Sequence, residues 1–196
     1  MIAQDHPYFF LASIFAKEGA VFNLSRYVYK KDSLFDQRRI VSISGSELTP
    51  QWVNEVISSL EPAEELALHS TITLKDCIMH IPMIDFATTQ LSPLMIERMS
   101  CFLPKEVMRN IAFFDSGRSY HAYSLVPLLH KEWIDFMGRL LLTNPRDGKH
   151  LIDTRWVGHR LIGGFCSLRW SNNTGNYIRC PSRVAAINEA KKVAAV

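Results

Sequence analysis

Residues 110–114 and 118–125 are two apolar runs held apart only by Asp115-Ser116-Gly117. A link that short joins strands only as antiparallel neighbours, because parallel strands need a crossover of about a dozen residues or more. Glycine frees the backbone of such a turn, and aspartate and serine stabilise it through their side chains. Residues 71–74 and 78–86 read as a second hairpin, turning at Lys75-Asp76. Residues 39–44 alternate apolar with small polar side chains, which predicts another strand.

Helix signals are interleaved with these strands. Thr49 and Pro50 place an N-cap and a first-turn proline ahead of Trp52, Val53, Val56, Ile57 and Leu60, which share one face. The acidic stretch at 61–65 ends that helix or opens the next element. Ser92-Pro93 repeats the signal before residues 94–99, and Pro104 breaks or restarts the helix. After Pro127, the residues Leu129, Trp133, Phe136, Met137, Leu140 and Leu141 recur at helical spacing. Residues 8–16 form a core helix or strand, 150–153 a short strand or strand end, and 184–196 an alanine-rich helix. Residues 165–170 and 177–179 predict a final hairpin around Asn172-Asn173-Thr174-Gly175, while 155–161 fit a helical turn or a loop. The expected fold class is α+β, a mixed or antiparallel sheet with packed helices. One domain over 1–196 is expected, with possible lobes at 1–75 and 76–196.

Composition narrows the classes. A hydrophobic content of 47% supplies a real core, and a net charge of +3 permits phosphate binding without demanding it. Between Arg139 and Arg183 stand eight lysines and arginines against two acids, Asp147 and Asp153. That window reads either as a solvated basic face or as an anion-binding one. The cysteines Cys77, Cys101, Cys166 and Cys180 lack paired C-x-x-C spacing, so no zinc site is expected. Their scatter points to reduced, mostly buried thiols in a cytoplasmic protein. The apolar run at 8–16 is too short to span a bilayer and follows Asp5 rather than a basic segment, so no membrane association is expected. No P-loop, G-x-G-x-x-G, G-x-S-x-G or H-E-x-x-H pattern occurs.

Three segments can carry chemistry. Asp85 ends an apolar strand, where a carboxylate reaches a ligand at the sheet rim or caps the next element. Around Ser116, Gly117 and Arg118 the turn can expose backbone N–H groups to an anion, with the guanidinium assisting. Ser119 and His121, two residues apart in a strand, would share a face. A half-buried histidine in a plain hairpin is the competing reading. Asp153 precedes Arg155, His159 and Arg160. Arg169 lies in an apolar strand and needs an anionic partner if buried, either a carboxylate such as Glu132 or Asp135 or a phosphate. Trp156, Trp170 and Tyr177 could stack bases, although Trp156 reads better as core.

The order of these motifs resembles the archaeo-eukaryotic primase superfamily. Asp85 in Met83-Ile84-Asp85-Phe86 is similar to its first acidic motif, and the run from Asp115 to Tyr123 to its Ser-x-His motif with a leading Ser-Gly-Arg. Leu151-Ile152-Asp153 resembles the third motif, and His159, Arg160 and Arg169 resemble its basic positions. The resemblance covers residues 78–172 and implies a primase-like core with an RRM-like half. It implies a nucleotidyltransferase that makes or extends a primer on a single-stranded DNA or RNA template. Asp85 and Asp153 would bind Mg2+ or Mn2+. Ser116, Arg118, Ser119, His121, His159, Arg160 and Arg169 would hold a nucleoside triphosphate, with His121 counted among the catalytic groups. A helicase or another replication or defence module would be a possible partner. The family's first motif usually holds two acids one residue apart, whereas Met83 and Ala87 flank Asp85 here. A catalytically degenerate module that binds nucleotide or nucleic acid within a larger assembly is therefore the alternative. A hydrolase using His121 as base ranks last, because no nucleophile accompanies it.

Overall fold

A computed structural model describes residues 1–30 and 37–184. The chain runs α1 (Pro7–Phe15), β1 (Val21–Val28), β2 (Gln37–Ser44), α2 (Pro50–Ser58), β3 (Glu64–Leu74), β4 (Cys77–His80) and β5 (Met83–Asp85). It continues through α3 (Pro93–Phe102), α4 (Lys105–Arg109), β6 (Ile111–Asp115), β7 (Tyr120–Ser124), β8 (Leu128–Leu129) and α5 (His130–Leu142). The last described elements are α6 (Thr154–Gly163), β9 (Ser167–Arg169) and β10 (Ser182–Arg183). Every strand pair among them is antiparallel, so the fold is α+β with antiparallel sheets.

The first sheet is ordered β2-β1-β3-β4-β8, with β9 also paired to β3. The long strand β3 organises it: one edge meets β1, while the other meets β9 over 67–69 and β4 over 71–74. The β3–β4 turn has Lys75 at φ 47° and Asp76 at φ 62°, the left-handed pair that a two-residue hairpin requires. The second sheet is ordered β10-β6-β7-β5. Phe22, Leu24 and Leu68 of the first sheet share one core with Met83, Phe113 and Ala122 of the second and Trp133 of α5.

Helix starts obey the local signals. The Thr49 hydroxyl accepts the Trp52 N–H at 3.1 Å, and Ser92 accepts Met95 N–H at 3.3 Å. The Glu132 carboxylate accepts the Leu129 N–H at 2.8 Å ahead of α5. Residues 8–15 lie in α1 with Ala16 as its C-cap, and the first turn is held by Tyr8 N–H on His6 Nδ1. Residues 155–161 lie in α6.

Several expectations need correction. Strand β1 is not anticipated, because Asn23, Ser25 and Arg26 interrupt its apolar residues; Phe22 and Leu24 carry it into the core. The strand expected over 78–86 breaks at Ile81-Pro82. Proline has no N–H for a ladder, and there the chain leaves one sheet for the other: Ile81 N–H bonds Ser70 O, and Pro82 O accepts Ser124 N–H. The final hairpin does not form. Strand β9 pairs with β3 instead, and β10 with β6. Only Cys166 is fully buried; Cys77 and Cys101 are exposed and Cys180 lies between. The helix expected over 184–196 lies, apart from Val184, outside the described residues. No helix among the described residues is long and apolar enough to cross a membrane.

Candidate functional site

The three segments singled out in the sequence meet at the end of β5. Asp85 sits opposite His121 in the β5–β7 register, and His121 Nε2 lies 3.9 Å from Asp85 Oδ1. Beyond Asp85 the chain runs antiparallel to 151–153. Phe86 bridges Ile152, Ala87 N–H bonds Leu151 O at 2.9 Å, and Asp153 N–H bonds Asp85 O at 3.2 Å. The two acids are thus fixed to each other by backbone. Buried Met83 and Ile84 anchor β5, which leaves the Asp85 side chain 26% exposed at the rim.

Asp153 has a second task. Its Oδ1 accepts the N–H groups of Arg155 at 2.9 Å and Trp156 at 3.0 Å, capping α6. That cap satisfies donors that every helix start leaves open. Helix α6 then carries Arg160 back toward β9, where its guanidinium donates to Ser167 Oγ at 2.9 Å.

The turn before His121 is closed upon itself. Gly117 N–H bonds Asp115 Oδ1 at 2.7 Å and Ser116 N–H bonds Ser119 O at 3.0 Å, so these two donors do not face an anion as expected. Gly117 stands at φ +94°, and a Cβ there would meet Arg179 N at 3.0 Å, so glycine is needed twice over. Ser119 precedes β7 and does not share a strand face with His121; its hydroxyl pairs with Ser116 Oγ at 3.2 Å.

Arg169 is only 4% exposed. Its guanidinium donates to the carbonyls of Ser116, Ser171 and Arg179, and lies 3.8 Å from the Tyr177 ring centroid. Neither expected carboxylate is its partner: Glu132 caps α5 and Asp135 pairs with Arg139. Arg169 Nε and His121 Nδ1 are buried and bond nothing among the described residues. Arg118 is exposed, with its guanidinium carbon 5.9 Å from the Tyr177 ring. His159 is half-buried on α6 and joins none of these groups by hydrogen bond or ion pair among the described residues. Trp156 and Trp170 are core residues, and Arg169 covers a face of Tyr177, so none is an open stacking platform.

The charges act on one another. Burial, and then Asp153, push the Asp85 carboxyl up to about 7, while Arg160 and Arg169 pull it down. Burial, and then Arg169, lower His121 to about 3, so its imidazole is neutral at physiological pH. Two mutually repelling carboxylates beside two guanidiniums can hold a cation on one side and phosphate oxygens on the other. No cluster of three or more His, Cys, Asp or Glu side chains suited to a metal occurs among the described residues. Asp85 and Asp153 are oxygen donors of the kind a hard divalent cation takes.

The AEP-like family model, archaeo-eukaryotic primase 1D-like, matches residues 44–182. The chain belongs to this primase family. The match spans both acids, the Ser-x-His segment, α6 and Arg169. No curated protein and no solved structure matches the chain. Sequence reasoning does not anticipate where two other side chains lie. Tyr177, a candidate base platform, instead backs Arg169; Glu65, one acid in the stretch at 61–65, is fully buried. The pattern Glu64-Glu65-Leu66-Ala67-Leu68 at a strand start is the available signal.

Proposed function

We propose that this site binds a nucleoside triphosphate and joins nucleotides to a primer on a single-stranded nucleic-acid template. The observation that carries the reading is the convergence of Asp85, His121 and Asp153 in a chain of the primase family. Asp85 and Asp153 would hold one Mg2+ or Mn2+. When bound, that ion supplies charge neutralisation for the triphosphate and for the oxygen that attacks it.

The chain's own groups bind and orient. Neutral His121 would donate a ring N–H to a phosphate oxygen without bringing a second positive charge beside Arg169. Arg169, desolvated and anchored by carbonyls, is a fixed positive charge, which stabilises a phosphoryl group more than a mobile one would. Arg118 and Arg160 would reinforce the field from the rim and from α6, and His159, half-buried beside Arg160 in the chain, would assist them. Ser116 and Ser119 contribute by shaping the turn that carries His121. The template would lie along the basic window between Arg139 and Arg183. A helicase or similar module remains a fitting partner for such a domain.

The lone acid of the first motif favours a second reading, a nucleotide-binding module without turnover. The test is incorporation of labelled nucleotide on single-stranded templates, with magnesium and with manganese. Loss of incorporation in Asp85→Ala, with triphosphate binding retained, supports catalysis. Triphosphate binding without incorporation under either metal selects the binding module, and absence of both overturns the proposal.

A further inference from the structure

Glu65 lies in β3, away from Asp85, and is fully buried. No lysine or arginine pairs with it among the described residues. Its carboxylate instead collects donors from one short stretch: the hydroxyl of Ser171, the N–H of Asn173 at 3.1 Å, and Thr174 through both N–H at 2.8 Å and Oγ1 at 2.7 Å. The Ser171 hydroxyl cannot turn away, because Leu66 N–H donates to the same oxygen at 2.8 Å. Both oxygens of Glu65 therefore face donors only. An ionised carboxylate meets that demand, while an amide would turn its own NH2 against a donor.

The stretch held this way frames Arg169. Ser171 presents one of the carbonyls that accept from the guanidinium, Arg179 presents another, and Tyr177 lies against its face between them. A buried guanidinium with no carboxylate partner among the described residues would otherwise be drawn toward Asp85, whose charge lies within its field. We infer that Glu65 is a positioning residue that sets the Arg169 guanidinium for phosphate through the 171–179 segment. The inference rests on the triphosphate-binding reading and extends it to a residue outside the pocket.

The test uses the full chain with Glu65→Gln, Arg169→Lys and the double variant. Binding of a nucleoside triphosphate and of the matching monophosphate is measured, and the Arg169 Nε–H resonance is followed by NMR without nucleotide. Glu65→Gln is expected to weaken triphosphate binding about tenfold, the scale of a lost charge-assisted hydrogen bond. Monophosphate binding should change far less. A merely structural lesion would weaken both ligands alike. In the double variant Glu65→Gln should add nothing to Arg169→Lys. Full additivity, equal losses for both ligands, or an unchanged Nε–H resonance in Glu65→Gln overturns the inference. If the unaltered protein binds no triphosphate, the reading of the pocket falls. The Nε–H resonance then decides alone: broadening in Glu65→Gln upholds the positioning role, and a sharp, unshifted signal ends it.

Discussion

Asp85 and His121 stand in register, and burial drives both toward their neutral forms. Their effects on stability have opposite signs. The Asp85 carboxyl is raised from 3.8 to about 7, so its contribution is complete below pH 3.8 and is lost as pH climbs through 7. His121 is lowered to about 3, and His6 and His80 to about 4, so their contributions hold above 6.5 and vanish as pH falls through those values. Asp85→Asn removes the opposing slope. Measured by urea unfolding in chelator, the variant should gain about 2 kcal/mol on the unaltered protein between pH 4 and pH 8. A pH-independent difference would refute the assignment. Asp153→Asn separates charge from capping, because asparagine caps as well as aspartate. It should leave the melting temperature nearly unchanged, lower the Asp85 pKa, and abolish metal-dependent incorporation; a large loss of stability would show that the cap depends on the charge.

The turn between β6 and β7 is the element on which the site depends most. It needs a left-handed residue at Gly117, and the backbone of Ile178 and Arg179 packs so close that a methyl group there would push it back by a few tenths of an ångström. Gly117→Ala should therefore cost about 2 kcal/mol in denaturant unfolding and shift the residues around His121 in amide spectra. An effect below about 0.5 kcal/mol would mean that the turn relaxes freely. The turn also explains why the Ser-x-His spacing misleads. Alternation along a strand puts every second residue on one face, but β7 starts at Tyr120, so Ser119 belongs to the turn and bonds Ser116.

At the scale of the molecule, the candidate site is assembled because one core supports two sheets. The chain passes between them at Ile81-Pro82, carrying Asp85 from the sheet of β4 to the strand beside His121. Arg169 reaches the same place from the other direction, through β9 on β3. Leu68, fully buried in the middle of β3, faces partners in β1 and β9 at once. Leu68→Ala should cost about 2–5 kcal/mol. Unfolding followed by tryptophan fluorescence and by far-ultraviolet circular dichroism should remain one coincident transition in both proteins. Two separated transitions would show the sheets to be independent units.

The hairpin at Lys75-Asp76, the turn at Asp115-Ser116-Gly117 and the capped helices were legible in the sequence, because each is dictated by residues adjacent in the chain. Asp85, His121 and Asp153 could be singled out for the same reason: each ends, interrupts or succeeds a local apolar run. Their meeting was implied only by the family resemblance, because no local signal dictates the backbone bridge between residues 86 and 152. Not legible at all were β1 as a central strand, β9 on β3, and the carbonyl cage of Arg169. Local sequence acts through dihedral preference and periodicity, and both end within a few residues. What a buried charge faces is settled by which distant segments pack around it, and that is a property of the folded core alone.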